Sequence, residues 1–406
     1  MHPLKSEARR GTGGPGARGP IVALLAIACG VLVANNYLSQ TLIAEIGADV
    51  GLSSELTGAT VTLTQFGSGL GFALVVPLAD RFENRRLILL SFVGVILALA
   101  AVATATSAGV FLFGCMMLGV CATTSQIMVP MASFFVAPEK QGRVIGLVTA
   151  GLLAGIMLAR PFASFVTHLA DWRAVFWVAM ALTVALGLLL LRYLPAREPP
   201  RQPEAGELFG SLWTIWRREP LIRRRAIWQA LLFLAFNMFW TAAPLELAGR
   251  FELGQDGIAL FALAGAGGAL AAPLAGRVAD RGHGGLATAI AIVGVCVMLV
   301  ATGWVVPAGA LAGFWLCALA IDAMVQTNQV VGQRALYQLS ESARSRINAL
   351  YMTVVFGIGA FGPVLGTVLH ARFGWQGPAF GGAAFAGAAT LLWLAAQCTA
   401  AKRTPQ

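Results

Sequence analysis

Charged side chains are scarce in this sequence, only 11% of 406 residues, against roughly 25% in an ordinary soluble domain. A water-exposed globule of this length needs a charged coat, so that class is excluded; a chain whose exterior is solvated by lipid needs none. There are four histidines, and Cys29, Cys115, Cys121, Cys296, Cys317 and Cys398 form no C-x-x-C pair, which argues against a metal site or a disulfide framework. The cysteines all lie in or beside apolar runs and read as small packing residues. No G-x-x-x-x-G-K-[ST] loop, nucleophile–base motif or metal-ligand cluster occurs, so an ATP-driven pump and an enzyme are both disfavoured and no cofactor is expected. The formal net charge is +10. Yet no aromatic-plus-basic stripe accompanies it, and nucleic acid is not expected as a partner.

What is present is apolar length. Hydrophobic residues make up 58% of the chain, 47 residues are glycine, and the mean hydropathy is +0.76. A helix needs about 20 apolar residues to cross the hydrocarbon core. Such stretches are expected at 20–43, 56–79, 87–107, 109–136, 144–168 and 173–194, then at 226–246, 256–279, 286–304, 308–334, 347–370 and 377–398. In lipid each backbone group must find its partner internally, so these are helices and not strands. The fold class expected is an all-α membrane protein with twelve transmembrane helices. Residues 1–19 read as a basic, glycine-rich tail containing Lys5, Arg9, Arg10 and Arg18. The apolar run that follows has no small-residue cleavage site, and it is expected to remain as the first helix rather than leave as a signal peptide.

Lysine and arginine set the orientation. Alternate loops hold Arg81, Arg85 and Arg86, then Lys140 and Arg143, then Arg197, Arg201, Arg217, Arg218, Arg223, Arg224 and Arg225. The pattern continues with Arg277 and Arg281, then Arg334, Arg344 and Arg346, and ends with Lys402 and Arg403. The intervening loops hold Arg173, Arg250 and Arg372. Both termini are therefore expected on the cytoplasmic side of a bacterial-type inner membrane. The Pro-, Arg- and Glu-rich segment 195–225 divides the chain into a six-helix unit 20–194 and a second unit 226–398, with a tail 399–406. Within that linker WTIWRREP reads either as a short amphipathic surface helix or as plain solvated chain. The units repeat: Asp80 and Asp280 lie 200 residues apart, while Arg143 and Arg346, and Trp172 and Trp375, lie 203 apart. Three anchors at nearly one offset indicate a duplicated six-helix unit.

The segment 76–86, VPLADRFENRR, resembles the major facilitator superfamily signature G-x-x-x-D-[RK]-x-G-x-[RK]-[RK] through Asp80, Arg81, Arg85 and Arg86, with Val76 and Glu83 in place of the glycines. Its second copy, GRVADRGHGGL at 276–286, keeps Gly276, Asp280 and Arg281. The resemblance implies two six-helix bundles that rock about a midplane site. It also implies a cytoplasmic gate in which Asp80 caps a neighbouring helix N-terminus and the arginines reach the other half; simple charge anchoring is the plainer reading. The run GLVTAGLLAGIMLARP, 146–161, resembles the fifth helix of drug:proton antiporters. There Gly151 and Gly155 have the spacing of close helix packing, and Arg160-Pro161 stands where that branch has Gly-Pro. Cys115 occupies the position of a basic residue usual in the fourth helix. Over nearly its whole length the chain resembles bacterial members of the arabinose-efflux-like branch.

Charges at membrane depth mark candidate function. Asp322, Gln326, Gln329 and Gln333 fall on one face of the tenth helix, a stripe that should line a cavity or a helix interface rather than meet lipid. In the resembled family the first, fourth, seventh and tenth helices line the cavity. Here these carry Asn35, Asn36 and Gln40, Gln126, then Gln229, Asn237 and Thr241, with Tyr37, Phe236, Phe239 and Trp240 as apolar contacts for a substrate or as plain packing. Asp322 is a candidate proton-coupling carboxylate; a structural role, paired with Arg160 or with backbone groups, is equally open, and substrate charge recognition is a third possibility. Arg160 reads either as a partner for an anionic substrate group or for Asp322, with Pro161 turning it inward, or as an arginine snorkelling to the outer interface. The expected function is proton-coupled efflux of small organic molecules by a monomer. The alternatives are proton-coupled import of a small metabolite, anionic if Arg160 binds it, and, more remotely, a non-transporting membrane sensor.

Overall fold

The computed structural model describes residues 18–53, 55–199, 205–340 and 343–401. Lys5, Arg9, Arg10, Arg201, Lys402 and Arg403 lie outside the described residues. The described chain is helical throughout. The first half runs α1 (Arg18–Ala34), a 3-10 turn (Leu38–Thr41), α2 (Ile43–Val50), α3 (Ala59–Leu78), α4 (Asn84–Ala103), α5 (Ala108–Ala122), α6 (Ser125–Ser133), α7 (Pro138–Leu169) and α8 (Trp172–Tyr193). After α9 (Ala205–Arg218), the second half runs α10 (Pro220–Gly249), α11 (Gln255–Ala262), α12 (Ala266–Asp280), α13 (Gly284–Val305), α14 (Leu311–Tyr337), α15 (Arg344–Gly359), α16 (Phe361–Phe373) and α17 (Gln376–Ala401). Eleven helical stretches among the described residues have the length and apolar character to cross a bilayer, and Gly19–Ala34 is a shorter apolar helix before them. Three of the stretches join adjacent helices: α5 with α6, α11 with α12, and α15 with α16.

The two halves pack alike. In the first, α1 lies on α7, α3 on α5, and α4 on α8; in the second, α10 lies on α15, α12 on α14, and α13 on α17. Each half therefore buries its own core. The first is built on residues such as Leu25, Leu32, Phe92, Phe111 and Trp172, the second on Phe239, Phe314, Ile321, Tyr351 and Trp375. Trp172 and Trp375 do the same work in each. Trp172 meets Phe111 and Phe176 edge-on at 5.6 and 6.0 Å, and Trp375 meets Phe314 and Phe239 at 4.8 and 5.6 Å. Outward-facing leucines and valines such as Leu90, Leu97, Leu188, Leu270 and Leu391 stay exposed, as suits helices solvated by lipid tails.

Two differences from the expected boundaries have local causes. Pro220 opens α10 at its first position, where a missing N–H costs nothing. The helix therefore starts well before residue 226 and carries Arg223, Arg224 and Arg225 in its first turns. The WTIWRR segment is helical, as the end of α9: Leu208 is buried and Trp213 exposed, and Arg346 donates to Ser211 Oγ at 3.0 Å.

The halves meet along α3 with α15 and α16, and along α7 with α11 and α12. The polar ties between them cluster at one end of the molecule. Thr367 Oγ1 donates to the Glu55 carbonyl at 2.7 Å, the Val364 N–H to Thr62 Oγ1 at 3.2 Å, and Gln255 to Glu45 Oε1 at 2.7 Å. A Cβ on Gly58 would run into the Pro363 backbone, so the chain is glycine where the halves touch most closely. That end also holds the Asp49–Arg173 ion pair and is sealed. The other end carries the loops with Asp80, Arg197 and Asp280. There the facing stretches of α7 and α12 include the exposed Arg143, Ile145, Leu147, Leu274 and Val278, so the two halves stand apart on that side.

Candidate functional site

A cavity lies between the halves. Its floor and sides come from α1, α3, α5, α6 and α7 of the first half and from α10, α14 and α15 of the second. One wall is a run of rings: Phe72, Phe356, Phe233 and Phe236 lie with successive centroids 5.1, 4.9 and 5.8 Å apart. The polar wall comprises Asn36, Thr123, Ser125 and Gln126 on one side and Asp322, Gln326 and Gln329 on the other.

The glutamine face of α14 thus looks into the cavity and not toward lipid. Asp322 is 8% exposed. Its Oδ2 accepts the Gly268 N–H at 3.1 Å, an approach that needs a glycine, since a Cβ there would sit 2.6 Å from that oxygen. Asp322 Oδ1 has no hydrogen-bond partner, and the Trp240 indole faces the same carboxylate without meeting hydrogen-bond geometry. Deeper in the same helix pair, Asn328 donates to Gln229 Oε1 at 2.7 Å, and the Gln229 amide faces the Val325 carbonyl and Gln329 at 3.4 Å. Gln333 turns away from the cavity and donates to Asn348 at 3.0 Å.

Arg160 does not snorkel. It is 1% exposed, within an α7 that runs through Pro161 without interruption. Its Nε donates to Gln40 Oε1 at 2.8 Å. Its guanidinium carbon lies 4.2 Å from the Trp240 ring centroid, 5.4 Å from that of Tyr37 and 5.8 Å from that of Phe236. Room for the planar group is left by Gly265, where a Cβ would stand 3.1 Å from Nη1. The side chain therefore ties Gln40 and Tyr37 of the first half to Trp240 and Phe236 of the second, beside the cavity and outside its lining. Arg160 and Asp322 interact only at longer range; among the described residues no ion pair joins them.

The other expected positions separate into groups. Asn36 and Gln126 line the cavity, and Asn36 Nδ2 donates to Ser68 Oγ at 3.2 Å. Asn35 is buried with its Nδ2 unpartnered. Asn237 holds α10 to α15 by donating to the Gly359 carbonyl at 3.1 Å. Trp240 forms the platform under Arg160, and Phe239 belongs to the core beside Phe314. Gly151 and Gly155 lie against α1: a Cβ on either would strike the backbone of Ala26 or Gly30, and one on Gly30 would sit 2.6 Å from the Gly151 carbonyl oxygen.

At the open end, the arginines of the signature loop stay within their own half. Arg85 donates to the Leu191 carbonyl at 2.6 Å, Arg86 pairs with Glu83 at 2.7 Å, and Arg81 lies over Phe82. Among the described residues no hydrogen bond or ion pair carries these arginines to the other half, the reach that the resemblance implies. Asp80 faces across instead, with Arg346 of α15 and Arg197 of the linker as its electrostatic neighbours, while burial pushes its carboxyl above the usual carboxylate range. In the second copy, Asp280 pairs with Arg334 of its own half, and Arg281 remains exposed.

Several polar residues escaped the sequence reading. Gln65 and Ser68 are fully buried on α3, and Asn328 is buried off the stripe. Glu246 accepts from Arg250 at 2.6 Å and lies 2.9 Å from His370 Nε2. The signal for Gln65 and Glu246 is the one that singled out Asp322, a polar residue in an apolar run. The ring wall left no such signal, because phenylalanine is common in any membrane helix.

Residues 24–336 match the Major Facilitator Superfamily. The uncharacterized transporter YgaY of Escherichia coli O157:H7 is 34% identical over 374 residues, covering 92% of this chain and 94% of that one. The chloramphenicol resistance protein of Streptomyces lividans is 26% identical over 262 residues, 64% of this chain and 66% of that one. Among solved structures, a bacterial homolog of the human lysosomal transporter Spinster, in an inward-facing and unoccupied conformation, superposes with a TM-score of 0.77. It does so at 14% identity, over 97% of this chain and all of that one. The duplicated helical halves, the cavity between them and these likenesses lead to one statement: the chain is a transporter belonging to the Major Facilitator Superfamily.

Proposed function

We propose that this protein exports small organic molecules from a bacterial cell in exchange for protons. In this reading it has twelve spans, the first running from Gly19 through the turn at Leu38–Thr41, and it works as a monomer with both termini in the cytoplasm. Its branch is the arabinose-efflux-like, drug:proton antiporter group. The orientation rests on the arginines, which crowd the end bearing Asp80 and the linker.

The observation that carries the mechanism is the Asp322 carboxylate on the cavity wall, with one oxygen held by the Gly268 N–H and the other unpartnered. A lone buried acid oxygen is satisfied by a proton or by a substrate donor, and occupancy by one excludes the other. The charged group near it is Arg160, which lies outside the cavity lining. The cavity then opens to the cytoplasm in this conformation, and rocking of the halves about it exposes the same acid to the other side. The loops of Asp80, Arg81, Arg85, Arg86, Asp280 and Arg281 serve as the cytoplasmic gate. The resistance function in the name of the Streptomyces lividans relative supports export.

The test is transport in proteoliposomes with an imposed pH gradient, run against a compound panel. The wild type moves at least one compound uphill when the gradient is present. Asp322→Asn binds or equilibrates it without being driven by the gradient. Full gradient-driven transport by Asp322→Asn refutes the coupling role.

A further inference from the structure

We propose that α9 and the first turn of α10 form a binding surface for the phosphodiester headgroups of anionic phospholipids in the cytoplasmic leaflet. The inference rests on the orientation set by the arginines and on neither the substrate nor its coupling. Segment 205–225 holds five arginines against two carboxylates, Glu207 and Glu219. Two of the arginines are spent inward. Arg223 Nη1 donates to the Trp216 and Arg217 carbonyls at 2.5 and 2.7 Å, and Arg225 Nη1 donates to Thr288 Oγ1 at 2.7 Å. Arg217, Arg218 and Arg224 stay exposed, and among the described residues no ion pair joins them to a carboxylate.

The junction of the two helices lies at headgroup depth. The apolar run of α10 begins at Ala226, two residues past Arg224, and only Glu219 separates α9 from α10. Arg217 and Arg218 therefore stand within about 10 Å of the hydrocarbon edge, the zone that headgroups fill. Nor is α9 free to leave: Leu208 is buried, Ile215 and Trp216 pack on the core of the second half, and Arg346 donates to Ser211 Oγ at 3.0 Å. Trp213 stands off that packed face, 58% exposed, with the Arg217 guanidinium carbon 5.0 Å from its ring centroid. An indole suits the boundary between acyl chain and headgroup, and a guanidinium takes phosphate oxygens through two parallel N–H bonds. Charge selects the lipid: three guanidinium groups without counter-ions favour an anionic headgroup over a zwitterionic one, whose own ammonium offsets its phosphate. Because Arg346 holds Ser211 and also faces Asp80, a headgroup on α9 steadies the second half's side of the open end.

Tryptophan fluorescence of the full chain tests this, after reconstitution into vesicles of phosphatidylcholine and phosphatidylglycerol in equal parts. One lipid or the other carries bromine on its upper acyl chain, a quencher that acts only on contact. The Trp213 signal is the difference between the wild type and Trp213→Phe. Brominated phosphatidylglycerol is expected to quench that signal at least about two-fold more than brominated phosphatidylcholine. The triple variant Arg217→Gln/Arg218→Gln/Arg224→Gln, measured against the same variant with Trp213→Phe, is expected to lose the preference, while size-exclusion profiles report that each variant is folded. Equal quenching by both lipids in the wild type overturns selection for the anion. A preference that survives the triple substitution overturns the assignment to these arginines. A Trp213 signal that neither lipid quenches overturns the surface itself and leaves α9 as a strut in the cytoplasm.

Discussion

A single methyl group placed on Gly155 tests how the first half is held together. The α1–α7 contact is made of backbone on backbone. A Cβ on Gly30 would sit 2.6 Å from the Gly151 carbonyl oxygen, where ordinary contact begins near 3.4 Å, and Gly151 and Gly155 face Ala26 and Gly30 still more closely. The obstructing atoms are helix carbonyls, which cannot rotate aside. A Cβ on Gly155 would stand 2.1 Å from the Gly30 carbonyl oxygen, so the two helices must part by about 1.3 Å, a gap that forfeits at least about half of the dispersion well along the seam. Overpacking of this kind costs about 1–3 kcal/mol. Gly155→Ala should lower the thermal unfolding temperature of the detergent-solubilised protein accordingly. Gly30→Ala should do the same, and the double variant should cost less than the sum, since one separation relieves both clashes. Gly146→Ala, on the same helix with nothing within 4 Å of its Cβ, is the control. It should be neutral or stabilising by up to about 1 kcal/mol, as alanine is in a helix interior. If Gly155→Ala melts with the wild type, or with Gly146→Ala, the close approach of α1 and α7 is not what fixes their packing.

Further outcomes are expected around the charged groups. Arg160→Lys keeps the charge but loses the planar face laid on Trp240 and the fork toward Gln40. A loss of about 1–2 kcal/mol in thermal stability should follow, with a change in tryptophan fluorescence reporting the uncovered ring. Burial raises the Asp80 carboxyl against the opposing pull of Arg346 and Arg197. A raised carboxyl stabilises the fold below its ordinary pKa of about 3.9, and that stability is lost as pH rises through the folded value. Asp80→Asn should thus match or exceed the wild type in thermal stability at neutral pH and flatten this loss, while gradient-driven transport falls if Asp80 belongs to the gate. Asp49 has the opposite sign. Its hydrogen bonds from Arg173 and Trp172 hold its carboxyl below the usual range, so its contribution is present at neutral pH and is lost as pH falls through that depressed value. Iodide quenching of tryptophan fluorescence should increase on acidification in the wild type. In Asp49→Asn it should be raised already at neutral pH.

How much of this was legible in the sequence differs from residue to residue. The repeat was, because Asp80 and Asp280, and Trp172 and Trp375, stand at nearly one offset, and the two tryptophans pack against phenylalanines that also lie 203 apart, Phe111 and Phe314. The direction of the α14 face was also legible: residues at steps of four, three and four must share a side, and a row of amides cannot be left in lipid. What the sequence could not fix was the fate of individual side chains on that side of the bundle. Asn36 and Gln126 reach the cavity while Asn237 is spent on the Gly359 carbonyl, and nothing in a one-dimensional pattern distinguishes an amide that caps a neighbouring helix from one that meets a ligand. Arg160 was the hardest case. Its depth along α7 fits snorkelling, and its burial follows from Gln40, Trp240 and Gly265, three residues distant in sequence that make room for one planar group. Interactions of this sort depend on tertiary approach, where glycine counts by what it lacks.

The two copies of the signature loop share Ala-Asp-Arg, at 79–81 and 279–281, and have different partners. Asp280 is matched within its own half by Arg334, while Asp80 is half-buried and looks across to Arg346. Identical chemistry in equivalent places would give equivalent contacts if the halves met symmetrically. They do not: α3 stays close to α15, whereas Arg143, the counterpart of Arg346, is exposed on α7 facing the open side. The difference in pairing has two sources: the halves do not meet symmetrically, and α6 carries no arginine to match Arg334 of α14. It requires that any closure bringing α7 toward α12 also bring Arg143 toward Asp280, where it must compete with Arg334. Two like charges contending for one carboxylate make such a closure reversible, because leaving one partner is offset by meeting the other.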